Sequence, residues 1–145
     1  MAEKLPRPTD AELEILTVLW SRGPTTVREV HEAIAARKPT QYTTVLKMLQ
    51  IMTAKGLVVR DEANRAHVYR AAIGQDAMQS KILRDLSVRH FSGSAAQLAL
   101  HALAMEPASD IELEEIRTLL ARKRLAEVTT TEKLASPERS RKDRL

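Results

Sequence analysis

Four polar side chains in residues 41–55 have the lengths and hydrogen-bonding groups that read base edges in a DNA groove. Lysine can reach a guanine edge, glutamine can pair with adenine through two hydrogen bonds, and threonine offers a hydroxyl to phosphate or a methyl group to thymine. We predict base or near-base contacts for Thr44, Lys47 and Gln50. Phosphate contacts are predicted for Thr43, for Tyr42 at the helix start, and for Thr26 at the start of the preceding helix.

The same segment has the apolar spacing of an amphipathic helix. Val45, Leu49 and Met52 recur at i, i+4 and i+7, and the polar residues fall largely on the other side. Gly56 suits the left-handed position just after a helix end. A polar face of this kind is by itself most often a solvated surface, so assigning it to DNA depends on the elements next to the helix.

Two short β-type runs come after this helix, at residues 57–60 and 66–70, around a polar tip at residues 61–65. Both runs are rich in β-branched or aromatic residues and nearly alternate with polar ones, which predicts a β-hairpin. A helix and then a hairpin form the DNA-reading half of a winged helix. Arg65, near the tip, is predicted to contact a phosphate or a narrow minor groove, and His67 can contact a phosphate when protonated.

Upstream, two capping boxes predict two more helices. Thr9 is followed by Glu12, and Thr26 by Glu29, and each pair precedes a run of apolar residues at helical spacing. Three helices and a hairpin make one compact module. The predicted fold class is therefore mainly α with a small β-hairpin: a winged helix-turn-helix DNA-binding domain over residues 1–73, followed by a helical region.

The composition favours duplex DNA as the partner over single strands and RNA loops. The net charge of +4 and the pI near 9.6 suit a polyanion, although this modest excess is also common on ordinary protein surfaces. Aromatic residues are only 3% of the chain, too few for the stacking platforms that read single strands or RNA loops.

Other classes of function are disfavoured by the residues the chain lacks. There are no cysteines, and the four histidines (His31, His67, His90 and His101) are too scattered for a local ligand set, so we expect no metal and no cofactor. No glycine-rich phosphate loop or nucleophile elbow occurs, so we expect no enzyme. The sequence contains neither a secretory signal nor a run of about 20 apolar residues, which predicts a cytoplasmic protein.

The C-terminal half contains three further amphipathic segments. One stripe comprises Met78, Ile82 and Leu86 in a helix of about residues 75–90; residues 95–105 form a short Ala/Leu-rich helix, and a third capping box, Ser109 with Glu112, opens a helix. This last helix contains a second stripe, Leu113, Ile116 and Leu120. These helices either pack back on their own domain or pair two chains. We favour a dimer, because two half-sites raise both affinity and specificity.

The residues quoted so far also resemble a known family, the penicillinase repressors (BlaI/MecI/CopY). The resemblance covers about residues 8 to 126 and includes residues 11–16, 26–30, 42–46, 55–58 and 65–69. It implies a homodimeric winged-helix repressor that sits on a pseudo-palindromic operator and dimerises through its C-terminal helices, with a membrane sensor-protease as a further partner. It implies no membrane insertion of the repressor itself.

Two departures from the family concern how repression ends. Antibiotic-responsive members are cleaved between an asparagine and a phenylalanine in the second C-terminal helix, where this chain has His101 and Ala102. The resemblance therefore does not carry cleavage at that bond over to this chain. Copper-responsive members use a C-terminal cysteine cluster, and because this chain has no cysteine, copper release by that chemistry is excluded.

Taken together, the residues and the resemblance predict a transcriptional repressor that binds its operator as a homodimer and is released by an upstream signal. The predicted regions are the DNA-binding domain at 1–73, a helical dimerisation domain at 74–127 and a flexible basic tail at 128–145. The alternative is a winged helix used as a protein-interaction module, with Ile51 as the candidate apolar anchor.

Overall fold

The computed structural model describes residues 7–63 and 67–142, with side chains described up to residue 131. Most of the described chain is helical. Its elements are, in chain order, α1 (Asp10–Arg22), β1 (Thr25–Thr26), α2 (Val27–Ala35), α3 (Tyr42–Lys55), β2 (Val58–Asp61), β3 (Val68–Ala71), α4 (Gln75–His90), α5 (Ala95–Met105) and α6 (Asp110–Lys142). The chain divides after Ala95 into two compact units.

The first unit is a winged helix built on one apolar core. The i, i+4, i+7 residues of α3 are fully buried, as predicted, and they pack with apolar residues of α1, α2 and the hairpin. The predicted capping box of α1 is confirmed: Thr9 N–H donates to the Glu12 carboxylate at 2.9 Å, and Glu12 N–H donates to the Thr9 hydroxyl at 3.2 Å. The buried apolar side chains are Ile15, Leu16, Leu19, Val27, Val30, Ile34, Val45, Leu49, Met52, Leu57, Val58, Tyr69 and Met78.

The predicted hairpin is confirmed, and a strand that was not predicted joins it. The sheet order is β1-β3-β2, with both neighbours antiparallel to β3. Thr25 pairs with Tyr69 and Thr26 with Val68. The two-residue strand β1 leads directly into α2. In the sequence, Thr26 is therefore recognised as a helix cap and not as part of a strand. The strand anchors the start of α2 to the wing.

The helix α4 belongs to the first unit, whereas the predicted domain boundary lies after residue 73. Met78, which the sequence predicts as a dimer contact, is fully buried in the core of that unit and packs within its own chain. Ile82 and Leu86, on later turns of the same helix, remain partly exposed. The Trp20 indole N–H donates to the Ile73 carbonyl at 2.9 Å and so fixes the entry to α4.

The second unit begins at Ala96 and contains most of α5 and all of α6. The predicted bounds of α5 and the third capping box are confirmed, since Ser109 N–H donates to Glu112 at 3.0 Å and Glu112 N–H to Ser109 Oγ at 3.1 Å. None of the side chains described between residues 95 and 131 is buried. The helix α6 continues to Lys142, so no helix end marks the start of the tail predicted at residue 128.

Within the ranges that the structure describes, no helix is both long enough and apolar enough to span a membrane.

Candidate nucleic-acid interface

The polar side of α3 is exposed along its length. Thr43, Lys47 and Gln50 lie at i, i+4 and i+7, and Thr44 flanks them. All four are exposed, while the opposite side of the helix is anchored in the core by Val45, Leu49 and Met52. The helix thus presents a row of hydrogen-bonding groups on a rigid support, as groove reading requires.

The start of α3 is fixed by a histidine on α2. The ring of His31 stands edge-on to that of Tyr42, with ring centroids 5.8 Å apart, and its Nε2 lies 2.7 Å from the Thr40 carbonyl oxygen. A carbonyl only accepts hydrogen bonds, so Nε2 carries a proton and donates. Tyr42 is 45% exposed, which leaves its predicted phosphate contact open to a partner.

The first turn of α3 is favourable for an anion. The N-cap residue Gln41 makes no side-chain cap, and there is no acidic residue in this turn. Backbone N–H groups without a partner and the positive end of the helix dipole both attract phosphate. These features support the predicted phosphate contacts of Tyr42 and Thr43, which are the first two residues of this turn.

The end of α3 is fixed by a glycine cap and an ion pair. Gly56 adopts the predicted left-handed conformation, with φ of 83°. Lys55 pairs with Glu12 of α1, whose side chain is only 5% exposed. Burial pushes the pKa of Glu12 up, but the hydrogen bonds from Lys55 and Thr9 outweigh it and hold that pKa below the ordinary value. Glu12 is therefore a carboxylate at neutral pH.

Between α3 and the hairpin runs a shallow groove of about 560 Å³, lined by Gln50, Thr53, Val59, Arg60 and Tyr69 among others. Gln50 and Arg60 therefore share one concave surface. The Arg60 guanidinium pairs with the Glu62 carboxylate, which raises the pKa of Arg60. The predicted tip residue Arg65 lies outside the described residues.

Two predicted phosphate contacts meet at the base of the wing. Because Thr26 pairs with Val68, it lies close to His67, which is exposed. The Thr26 hydroxyl accepts from Glu29 N–H at 3.2 Å and donates to the Glu29 carboxylate at 3.0 Å. A phosphate at this point must therefore displace Glu29 as the acceptor of that hydroxyl proton.

Two arginines of the wing were not selected from the sequence. Arg60 and Arg70 are exposed on neighbouring strands, and Arg70 pairs in register with Val59. Arg60 pairs in register with Tyr69, so it lies on the core-facing side of the sheet with Val58, whereas Arg70 lies on the other side. The alternation of the strands indicates this division, since the apolar residues at 58 and 69 mark the core-facing positions. Because Arg60 is paired with Glu62, it is Arg70 that adds net positive charge to the wing.

The chemistry available at this surface is hydrogen bonding and charge rather than catalysis. Its side chains are hydroxyls, an amide, a primary ammonium and guanidinium groups. Across the described ranges, no group of three or more His, Cys, Asp or Glu side chains is placed to hold a metal ion. Such a surface can bind a polyanion and discriminate base edges.

Comparison with known proteins gives consistent matches. The family model described as penicillinase repressor matches residues 8–122. The transcriptional regulator BlaI of Mycobacterium tuberculosis is 36% identical over 119 residues, covering 81% of this chain and 86% of that protein. The methicillin resistance regulatory protein MecI of Staphylococcus aureus is 22% identical over 115 residues, covering 79% of this chain and 94% of that protein.

A solved structure also matches: the monomeric form of Bacillus licheniformis BlaI in complex with the blaP half-operator. It is 27% identical, covers 51% of this chain and 90% of that chain, and has a TM-score of 0.46.

Proposed function

Since the chain belongs to the penicillinase repressor family, whose members are transcriptional repressors and not enzymes, we propose that it binds a pseudo-palindromic operator as a homodimer in the cytoplasm. In each half-site, α3 enters the major groove and the wing tracks the flanking backbone. Thr44, Lys47 and Gln50 make base or near-base contacts. Phosphates are bound by Thr26, Tyr42, Thr43, Arg65 and His67.

The observation that carries this proposal is the division of α3 into two sides. Its exposed side carries Thr43, Lys47 and Gln50, and its buried side carries three fully buried apolar residues. The helix is held at both ends, by His31 near its start and by Lys55 and Gly56 at its end. A helix fixed at both ends holds its exposed side chains in one register against the bases, so less entropy is lost on binding than from a mobile segment.

Homodimerisation is supported by apolar side chains in the second unit. Leu113, Leu119 and Leu120 on α6 are 49%, 54% and 56% exposed, and Leu100 and Leu103 on α5 are 61% and 44% exposed. Side chains of this size on two helices exceed what a monomer normally leaves in water. Pairing of two chains through them joins two reading helices into one binder and accounts for a two-fold symmetric operator.

Repression ends if the dimer is lost. A cut in α5 at or near His101 and Ala102, made by a membrane sensor-protease system, would separate the pairing helix α6 from the DNA-binding unit. The side chains of Leu100, His101, Ala102 and Leu103 are exposed, which supports access by a protease once the helix unwinds locally. Each DNA-binding unit would then bind its half-site alone, without the gain in affinity that comes from linking two units in a dimer.

The proposal is tested by footprinting the purified protein on the DNA upstream of its own gene, across a salt series, with random duplex as competitor. We expect protection of two half-sites, one helical turn or a multiple apart, at protein concentrations that leave random DNA unbound. Salt-sensitive coating without a footprint would contradict sequence-specific binding. No binding at all would favour a protein-interaction module.

A further inference from the structure

The side chain of His31, on α2, makes two contacts with different residues at the start of α3. Its Nε2 donates to the Thr40 carbonyl oxygen at 2.7 Å. Its ring meets the ring of Tyr42 at an angle of 78°, with centroids 5.8 Å apart. This is the edge-to-face geometry that aromatic pairs favour. One imidazole thus touches both the turn that precedes α3 and the first residue of that helix.

The hydrogen bond to Thr40 belongs to the turn between α2 and α3. Thr40 lies between Pro39 and the N-cap residue Gln41, and its hydroxyl donates to the Lys38 carbonyl oxygen at 3.1 Å. The bond from His31 ties this turn to a residue nine positions earlier in the chain. Because it acts on the backbone of the turn, we assign its contribution to the stability of the domain.

The contact with Tyr42 acts on a side chain that faces solvent. Tyr42 is 45% exposed, and the ring of His31 beside it limits how its phenol can turn. A phenol rotates about two torsion angles. Holding these angles before DNA arrives removes part of the entropy cost of a contact between the hydroxyl and a phosphate. The ring contact therefore bears on DNA affinity.

We propose that His31 is a positioning residue for DNA binding, whose ring holds the phenol of Tyr42 in the orientation in which its hydroxyl donates to a phosphate. This inference rests on the proposed operator binding and adds a residue to the same surface. His31 itself touches no DNA and acts through Tyr42. Its two contacts use different parts of the imidazole, Nε2 and the ring, so each can be removed without the other.

Two substitutions in the full chain separate the contacts. His31→Gln keeps a donor near the place of Nε2 but removes the ring, and His31→Phe keeps a ring but removes the donor. We expect His31→Gln to weaken binding to operator and to random duplex by the same factor, about threefold to tenfold, because a mobile phenol must be ordered against a phosphate that every duplex carries. Fluorescence anisotropy measures both affinities.

His31→Phe should give the opposite result. It should bind both duplexes as the wild type does, while its equilibrium constant for unfolding, measured by urea denaturation, rises about twofold to tenfold through loss of the hydrogen bond. A loss of affinity that followed the loss of stability would make His31 a merely structural residue. Equal losses of affinity in the two variants, or none in His31→Gln, would likewise overturn the positioning role.

Action through Tyr42 is tested by a double-mutant cycle. Tyr42→Phe removes the hydroxyl and keeps the ring, so His31→Gln should cost no further affinity in that background. The phenol is uncharged, so neither substitution should change the slope of log affinity against log salt. A protonated His31 that contacted a phosphate directly would instead reduce this slope by about 1 when replaced, and would cost the same affinity in both backgrounds. That result would overturn the proposal.

His90→Gln is the matched control. It makes the same substitution at an exposed histidine in the last turn of α4, within the same unit. It should leave both affinities unchanged, and a loss equal to that of His31→Gln would overturn the positioning role. All these failures leave the binding of wild-type protein to its operator intact. A wild-type protein that bound neither duplex would instead remove the proposed operator binding, and the role of His31 with it.

Discussion

The Lys55 ammonium donates to both carboxylate oxygens of Glu12, at 2.8 and 3.1 Å. The two residues are 43 positions apart, and their contact joins the last turn of α3 to the first turn of α1. The same carboxylate accepts from Thr9 N–H. One buried acid therefore caps the helix that begins the domain and fixes the end of the helix proposed to read DNA.

This ion pair predicts a pH-dependent loss of stability. Glu12→Gln should lower the free energy of unfolding by about 1–3 kcal/mol at neutral pH, since a charge-assisted hydrogen bond is weakened at a buried site. The folded pKa of Glu12 lies below the ordinary value of 4.5, so its stabilisation is present above 4.5 and is lost as pH falls through the folded pKa. Urea melts at several pH values should therefore show the gap between wild type and variant closing in acid.

The matched control for that measurement is Glu14→Gln. Glu14 is on the same helix but is exposed, and its pair with Lys38 is longer, at 3.5 Å. We expect a change of less than about 0.5 kcal/mol, with no convergence in acid. A Glu12→Gln gap that stays constant from about pH 7 to about pH 3 would contradict the assignment of this stabilisation to the carboxylate.

The groove-reading assignment predicts a loss of specificity on α3. Gln50→Ala and Lys47→Ala should each cost about 1–3 kcal/mol of binding free energy on operator DNA and much less on random duplex, because base-edge contacts are lost. Fluorescence anisotropy with both duplexes measures the ratio. Gln79→Ala, an exposed glutamine of α4, is the control. Equal losses on the two duplexes for Gln50→Ala would rule the groove assignment out.

The wing predicts a different signature. Arg65→Ala should weaken binding to all sequences alike and reduce the slope of log affinity against log salt by about 1, because one phosphate contact disappears. The measurement is a salt titration on operator and random DNA. Arg84→Ala, which removes an exposed charge from α4, should leave the slope unchanged. A loss confined to operator DNA would instead make Arg65 a base-reading residue.

Much of the fold is determined by local pattern. The spacing of Val45, Leu49 and Met52 predicts the buried side of α3, and Gly56 predicts its end; both agree with the structure. The capping boxes at Thr9 and Ser109 likewise form as expected. These features succeed because the determining atoms lie within one or two helical turns of each other.

Features that depend on distant partners were not predictable. The amphipathic stripe of α4 has the same spacing whether it faces its own domain or a second chain, so the sequence alone does not show that Met78 packs in the core of its own domain. β1 is only two residues long, and its pairing with Tyr69 and Val68 is decided by tertiary structure. The contact of His31 with Thr40 and the ion pair of Lys55 likewise depend on how the helices pack.

The glycines that follow α1 and α3 provide a further prediction, which rests on backbone conformation alone. Gly56 has φ of 83° and ψ of 15°, the left-handed region, whereas Gly23 has φ of 79° and ψ of −159°, a region that is essentially restricted to glycine. At neither position does an added Cβ meet an atom within 4 Å. Gly56→Ala should therefore cost about 1 kcal/mol of unfolding free energy, Gly56→Asn less, and Gly23→Ala more, about 1–3 kcal/mol. Chemical denaturation of the three variants gives the order of their stabilities directly. If Gly56→Asn is no more stable than Gly56→Ala, the left-handed conformation does not determine the loss of unfolding free energy at this position.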